Sequence, residues 1–158
     1  MRGTIAALAG SDACAKIRCG GVRSEMIPDA EVIARFIDLC AHADVPFKAT
    51  AGLHHPLRGE YPLTYDPEPP RAMMHGFLSV FLASALRRQS PDFDATHLAR
   101  LIREGDADTL AFDDGGARWK EHEIGTEGIA HARGGFCLAF GSCSFEEPTS
   151  ELRELGLI

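Results

Sequence analysis

The segment VPFKATAGLHHP, residues 45–56, determines the predicted fold of this chain. It begins as a short apolar strand with a lysine in its middle, and it ends in a glycine, two adjacent histidines and a proline-rich loop. The earlier segment AKIRCGG, residues 15–21, has the same design, because its charged residues alternate with apolar ones before two glycines. Two such strands predict a pocket at the point where parallel strands end.

A helix is predicted between these two strands. It begins at Pro28-Asp29, ends near Ala43, and carries apolar residues at helical spacing. A strand, a helix and a second strand in this order form a βαβ unit, whose strands are parallel and whose crossover is right-handed. The sequence therefore predicts a single α/β domain, residues 1–158, of parallel strands with flanking helices.

The rest of the chain predicts further elements around this unit. Residues 54–71 are rich in proline and lack a period, so they are expected to form a long irregular loop of the kind that often binds a ligand. Helix 73–88 is apolar around nearly its whole circumference, which predicts burial on more than one side. The pattern also predicts a helix over 94–104 with Asp94 as its N-cap, a hairpin over 109–120, a helix over 126–132, a strand over 136–141 and a helix over 147–155.

Charge and composition exclude several classes of partner. The formal net charge of −7 argues against nucleic acid and anionic membranes. The N-terminal residues carry no clear export signal, and the longest apolar run, residues 76–86, is too short for a membrane span.

The five cysteines include no CxxC pair, which predicts a cytoplasmic location and small, buried apolar side chains. Cys143 has the strongest claim to reactivity, because serines flank it near a predicted strand end.

Lys48 is the strongest candidate for a catalytic residue. A lysine inside an otherwise apolar strand is costly to bury unless it is paired or loses its proton. A desolvated lysine near the cations Lys16 and Arg18 would become a nucleophile toward carbonyl compounds. Two other roles stay open for Lys48, a clamp for an anionic substrate and a structural ion pair. We expect the cations of the two strands to meet in one pocket.

Lys16 and Arg18 share one face of their strand, because side chains alternate along a strand with a period of two. Arginine offers two parallel hydrogen bonds to a carboxylate or phosphate, and lysine adds a point charge. The pair is therefore predicted to bind an anion. The alternative is the solvated charged face of an edge strand.

His54 and His55 follow the end of the second strand, where catalytic groups gather in (β/α) barrels. Since neighbouring side chains point in different directions, one histidine is expected to face the pocket while the other packs elsewhere. The first would act as a general acid or base near neutral pH. A metal site would need further ligands, for which His75, Asp113 and Asp114 are available, but no HxH or HExxH spacing is present and no bound metal is expected.

Residues 141–144, GSCS, precede the last predicted helix. Hydroxyl groups and free backbone N–H groups at the start of a helix can bind an anion, so Ser142 and Ser144 are predicted to contact the substrate. Ordinary capping of the helix by Ser144 or Thr149 is the alternative. Two glutamates next to these serines weaken the case for a phosphate as the ligand.

Five segments carry a resemblance to a known family: KIRCGG, PFKATAGLHHPLRG, HGFLSVFLASAL, FDDGGARW and FGSCSFEEP. Together they resemble the C-terminal half of an uncharacterised bacterial protein family whose longer members look like (β/α) barrels. The resemblance implies half of such a barrel. It leaves open a late start, a truncated product or completion by another chain. The segment FKATAG also resembles class I aldolases of the deoxyribose-phosphate type, which implies a Schiff base at Lys48.

These observations lead to one expected function and two alternatives. We expect an enzyme, similar to an aldolase or lyase, that acts on a small anionic carbonyl or carboxylate compound without a cofactor. The alternatives are a non-catalytic ligand-binding or assembly subunit, and a metal-dependent hydrolase that uses the two histidines. A homo-oligomer, or a partner chain that completes the barrel, is expected. The predicted catalytic residues are Lys48, His54 and His55, and the predicted substrate-binding residues are Lys16, Arg18, Thr50, Arg58, Ser142 and Ser144.

Overall fold

The computed structural model, which describes residues 1–142 and 144–158, consists of short strands and mostly longer helices. In chain order the elements are α1 (Arg2–Ala6), β1 (Ala15–Arg18), α2 (Ala30–His42), β2 (Phe47–Thr50), β3 (Gly59–Pro62), β4 (Arg71–Met74), α3 (Phe77–Gln89), α4 (Ala95–Ile102), β5 (Leu110–Asp113), β6 (Gly116–Trp119), β7 (His122–Gly125), α5 (Thr126–Gly135), β8 (Cys137–Phe140) and α6 (Glu146–Glu154). Two turns of 3-10 helix, Ser24–Met26 and Ala107–Thr109, lie between them. None of the described helices combines the length and apolar character that a bilayer crossing requires.

A parallel sheet in the order β1-β2-β8 is the central layer. Ala15 of β1 pairs with Phe47 of β2, and Phe47 pairs with Cys137 of β8, so β2 is the middle strand. Helix α2 connects β1 to β2, as the sequence predicts. The prediction of an α/β fold with parallel strands and flanking helices is therefore confirmed, while the half barrel stays a prediction.

The two faces of this sheet differ in burial because apolar and charged residues alternate along its strands. Buried side chains point to the helical layer, where Phe47 makes edge-on contacts with Phe36 and Phe136 at centroid distances of 5.2 Å. The opposite face exposes the cations Lys16, Arg18 and Lys48. The expectation that Lys48 is desolvated within its strand is thus wrong, because its side of the sheet carries no covering layer among the described residues.

The long loop after β2 is more regular than predicted. Strands β3 and β4 pair antiparallel within it, and Met73 and Met74 belong to β4. Helix α3 therefore begins at Phe77, after the predicted start at residue 73. The four-residue strands are too short to establish a period in the sequence. As predicted, α3 is buried on several sides, since it packs against α2, α4, α5, β7 and β8.

The remaining predictions hold with small shifts of their boundaries. Asp94 caps α4, because its carboxylate accepts hydrogen bonds from the backbone N–H groups of Thr96 and His97. The predicted hairpin is formed by β5 and β6, and a third strand that the sequence did not predict, β7, extends it to a meander. Burial raises the pKa of Cys19, Cys40 and Cys137 to about 12, which fits the prediction of inert core cysteines. Cys14 is exposed, so the prediction of a buried side chain is wrong at that position.

An ion pair joins α3 to α2 at the edge of the core. Nε of Arg87 lies 2.8 Å from Oδ1 of Asp38, and the exposed fractions of the two side chains are 7% and 22%. A terminal amino group of Arg87 also donates to Nδ1 of His42 at 3.1 Å. Because Arg87 is nearly buried, removal of its carboxylate partner would leave a charge in a poorly solvated position.

We expect Asp38→Asn to lower the free energy of unfolding by about 3 kcal/mol, because the Arg87 guanidinium then keeps its burial without a counter-charge. Urea denaturation followed by circular dichroism measures the change. The matched control is Glu60→Gln, which removes the exposed Arg71–Glu60 ion pair and should change the free energy of unfolding by less than about 1 kcal/mol. Equal effects of the two variants would contradict a structural role for the Asp38 pair.

Candidate functional site

A cavity of about 550 Å³ lies where the three parallel strands end. Arg18 is the last residue of β1, residues 51 and 52 follow β2, and residues 141 and 142 follow β8. Such a position, at the carboxyl ends of parallel strands, is where α/β proteins bind their ligands. The polar side chains that line the cavity are Arg18, His54, His55, Thr64, Tyr65, Ser142 and Glu147.

Two glycines allow the strand ends to approach closely at the base of this cavity. A Cβ atom added to Gly20 would lie 2.6 Å from Cα of Gly52, and one added to Gly52 would lie 2.6 Å from Cα of Gly20. Gly52 also has a φ of +72°, a conformation that side chains other than glycine rarely adopt. The glycines that end the two predicted strands are therefore required by the backbone contact itself.

His54 is held by the segment that follows β8. Its Nδ1 lies 3.1 Å from Oγ of Ser142, and that hydroxyl donates to the carbonyl oxygen of Ser144 at 2.7 Å. Since the serine proton is directed at the carbonyl, Nδ1–H of His54 is the donor to Ser142, and Nε2 of the neutral ring carries the lone pair. The hydrogen bond thus fixes the tautomer that can accept a proton at Nε2.

The electrostatic environment of His54 keeps the ring neutral near pH 7. Burial is the main cause that lowers the pKa of His54, and the neighbouring His55 lowers it further. Glu147 acts in the opposite direction, since its Oε2 lies 4.0 Å from Nδ1 and stabilises the protonated ring. A neutral histidine with a carboxylate nearby is suited to accept a proton and to be stabilised once charged.

Ser142 is not arranged as an activated nucleophile. In a serine hydrolase, the serine and the carboxylate contact opposite nitrogens of the histidine ring. Here both Ser142 and Glu147 lie on the Nδ1 side of His54, and the serine proton points to a carbonyl oxygen. Ser142 therefore positions His54.

His55 borders the same cavity but is engaged in packing. Its Nδ1 lies 2.6 Å from Oε1 of Glu151, and its ring stacks on Tyr61 with a centroid distance of 3.4 Å. The Tyr61 hydroxyl in turn donates to the carbonyl oxygen of Leu57. His55 is buried, so it fastens helix α6 to the loop after β2. The two histidines thus occupy different environments, as their adjacency predicts.

The structure does not bring all the predicted site residues together. Lys16 and Lys48 are register partners on the open face of the sheet, and neither lines the cavity. The hydroxyl of Thr50 donates to the carbonyl oxygen of Ile17, so it joins β2 to β1. Arg58 lines a different, smaller cavity beside α2.

Ser144 caps the last helix. Its hydroxyl accepts hydrogen bonds from the backbone N–H groups of Glu146 and Glu147, which is the alternative that the sequence left open. The N–H groups that were predicted to bind an anion at this position are thereby satisfied within the chain. Cys143, the predicted reactive cysteine, lies outside the described residues.

The histidines and aspartates considered as metal ligands are dispersed. His75 lines the cavity beside α2, and the Asp113 carboxylate accepts hydrogen bonds from the backbone of Gly115 and Gly116 in the β5–β6 turn. Across residues 1–142 and 144–158, no group of three or more His, Cys, Asp and Glu residues is placed to hold a metal ion.

Sequence reasoning did not identify Glu147 and Glu151 as partners of the two histidines. These carboxylates are four residues apart on α6, so they lie on one face of the helix. The spacing of four residues between these glutamates, together with the two adjacent histidines, was the signal in the sequence that could have indicated the pairs. It could not be used without knowing that α6 packs on a loop more than ninety residues earlier in the chain.

Protein-family models, curated proteins and solved structures give no match to this chain. The geometry of the cavity is accordingly the basis for the function proposed below.

We expect Glu147→Gln to lower the pKa of His54 further below the usual histidine value, because the carboxylate that stabilises the protonated ring is lost. A pH titration of the His54 ring resonances by nuclear magnetic resonance measures this. The matched control is Glu146→Gln, which alters the exposed neighbouring carboxylate on the same helix. An unchanged His54 titration in Glu147→Gln, or the same shift in both variants, would contradict the coupling.

Proposed function

We propose that this protein is an enzyme that moves a proton on a small anionic carbonyl or carboxylate compound. The observation that carries the proposal is the placement of Arg18 and His54 in one cavity at the carboxyl ends of the parallel strands. Arg18 supplies a permanent positive charge, and His54 supplies a base that is neutral near pH 7.

Arg18 is the anion-binding group in this proposal. Its Nε donates to the carbonyl oxygen of Gly20 at 2.7 Å, which fixes the guanidinium at the end of β1. Among the described residues, no carboxylate forms an ion pair with Arg18, so its terminal amino groups are available for two parallel hydrogen bonds to a carboxylate of the substrate.

His54 is the proton acceptor. With Nδ1–H donated to Ser142, Nε2 removes a proton from the carbon next to the substrate carbonyl. The resulting imidazolium is stabilised by Glu147, and the proton is then returned to the product. Burial keeps the pKa of His54 low enough for the ring to start each cycle neutral.

Lys48 takes part in an aldolase-like form of this reaction. It lies on the same sheet face as Arg18, one strand across and two residues nearer the amino ends, about 7 Å along the strand. A substrate whose carboxylate binds Arg18 and whose carbonyl extends down this face would form a Schiff base with Lys48.

A half barrel is the architecture that fits this proposal. Purely parallel sheets have both faces covered in nearly all proteins. Here β1 and β8 are both edge strands, and the face that carries Lys16 and Lys48 is open. We therefore propose that another chain supplies further strands, which enclose this face as the interior of a (β/α) barrel.

A panel of small 2-oxo acids and carboxylated aldehydes tests the enzymatic proposal. We expect proton exchange at the carbon next to the carbonyl, measured in D₂O by nuclear magnetic resonance, for at least one member. His54→Gln should slow this exchange by about 100-fold or more, because the base is removed. Arg18→Met should weaken binding by about 10- to 100-fold, because a charge-assisted contact is lost.

The matched control is Arg35→Met, which removes an exposed arginine of α2 away from this cavity. It should leave both binding and exchange unchanged. Borohydride added to the same panel should attach mass at Lys48 if a Schiff base forms. The proposal is wrong if no compound binds, or if Arg18→Met and Arg35→Met behave alike.

A second candidate function is that of an assembly subunit. Exposed apolar residues beside β8 favour this function. A groove of about 870 Å³ runs along this strand and is lined mainly by aromatic and aliphatic side chains, including Phe81, Leu138 and Phe140. Phe140 stacks on Phe77 at 4.9 Å, yet it stays 37% exposed. An exposed apolar groove next to an unpaired strand is typical of an interface, and we assign it to a second copy of this chain.

Light scattering on the purified protein should give at least twice the monomer mass of 17.1 kDa. Leu138→Glu should shift the mass to that of the monomer, because it places a carboxylate in the apolar groove. Val32→Glu is the matched control, since Val32 is 40% exposed on α2 and Leu138 is 41% exposed. A wild-type monomer at high concentration would contradict the assembly.

A further inference from the structure

The loop between β3 and β4, residues 63–70, lines one side of the cavity at the ends of the parallel strands. Its backbone closes on itself, because the N–H group of Leu63 donates to the carbonyl oxygen of Pro70 at 2.8 Å. Tyr65 of this loop borders the cavity, and its side chain belongs to the exposed aromatic residues of the chain. The function proposed above gives this tyrosine no role.

The Tyr65 hydroxyl binds the carboxylate that acts on His54. It lies 3.2 Å from both Oε1 and Oε2 of Glu147, so its proton is shared between the two carboxylate oxygens. The same Oε2 lies 4.0 Å from Nδ1 of His54. One carboxylate is therefore placed between two groups, a phenol that binds it directly and a histidine ring that lies beyond hydrogen-bond distance.

A small movement of Glu147 would change its contact with His54. The Glu147 side chain is 32% exposed, so its rotamers are not fixed by close packing. A shift of about 1 Å would bring Oε2 within hydrogen-bond distance of Nδ1 of His54. The Tyr65 hydroxyl opposes this shift, because it binds both carboxylate oxygens in their present position.

Several charged and titratable groups surround the His54 ring. Burial is the largest influence and lowers the pKa of His54, Glu147 of α6 raises it, and the neighbouring His55 lowers it. Arg18 of β1 lines the same cavity, and Glu151 of α6 is bound to His55. Glu147 is the group that links Tyr65 to the ring, since it contacts the phenol and stabilises the protonated histidine.

We propose that Tyr65 is a positioning residue that holds the Glu147 carboxylate away from His54. Its importance for catalysis rests on the proton transfer proposed above, in which His54 starts each cycle as a neutral ring. While the phenol binds Glu147, the carboxylate stays outside hydrogen-bond distance of Nδ1, and the ring accepts a proton at Nε2. Once the imidazolium has formed, its positive charge attracts the carboxylate against the hold of the phenol. The Tyr65 hydroxyl thus sets the strength of the base in this cavity.

Tyr65→Phe tests the proposal, because it removes the hydroxyl and keeps the ring. We expect the pKa of His54 to rise, since the released carboxylate can approach the ring and stabilise its protonated form. A pH titration of the His54 ring resonances of the full chain by nuclear magnetic resonance measures this shift.

Tyr61→Phe is the matched control, because the hydroxyl of this second tyrosine of the chain donates to the carbonyl oxygen of Leu57. It should leave the His54 titration unchanged. The proposal is overturned if the titration of Tyr65→Phe coincides with that of the wild-type protein, or if both tyrosine variants shift it equally.

A second background shows whether the effect passes through Glu147. In a chain that carries Glu147→Gln, the further change Tyr65→Phe should not move the His54 titration, because no carboxylate is left to be released. A shift as large as the one in the wild-type background overturns the proposal, since it would reflect a change in the solvation of the ring and not the release of Glu147.

The titration does not depend on catalysis, so it separates this inference from the proposed function. If no compound of the panel exchanges a proton, the proposed function is wrong, and the titration still decides whether Tyr65 restrains Glu147. With an active compound, the acidic limb of the pH–rate profile should move to higher pH in Tyr65→Phe, because a base with a raised pKa becomes protonated at higher pH. A limb that stays in place overturns the role of Tyr65 in catalysis.

Discussion

The contact between Gly20 and Gly52 is the constraint on which the rest of the structure depends. The two backbones approach so closely that a Cβ atom on either glycine would lie 2.6 Å from the other Cα. This contact brings the ends of β1 and β2 together directly beyond their last paired residues, Arg18 and Thr50. A bulkier residue at either position would separate the strand ends and move Arg18 away from His54. The geometry of the cavity is therefore set by the absence of two side chains.

Much of this arrangement could be predicted from local sequence. Strands β1 and β2 could be predicted from the alternation in AKIR and FKAT and from the glycines that follow these segments. Helix α2 could be predicted from the amphipathic pattern between them. The capping role of Asp94 could be predicted for the same reason, since a cap and the amides it binds lie within a few residues of each other.

What could not be predicted depends on contacts between distant segments. Alternation shows that Lys48 and Phe47 face opposite ways, but it does not show whether a second layer covers the lysine. In the described structure, no layer does, and the lysine is exposed. The pairing of Glu151 with His55 likewise requires α6 to pack against a loop that lies far away in the sequence. The short strands β3 and β4 are stabilised by each other, so neither carries a sufficient pattern alone.

The adjacent histidines His54 and His55 occupy different environments although they are consecutive in the chain. His55 is buried, stacked on Tyr61 and bound to Glu151, so its ring has a fixed packing role. His54 is only partly buried, and its Nδ1 lies 3.1 Å from Oγ of Ser142, with Glu147 farther away at 4.0 Å. A carboxylate in direct contact would hold a proton on the ring, whereas one at this distance stabilises the imidazolium without fixing it. Because both carboxylates belong to α6, the anchoring of that helix by His55 also sets the distance at which Glu147 acts on His54.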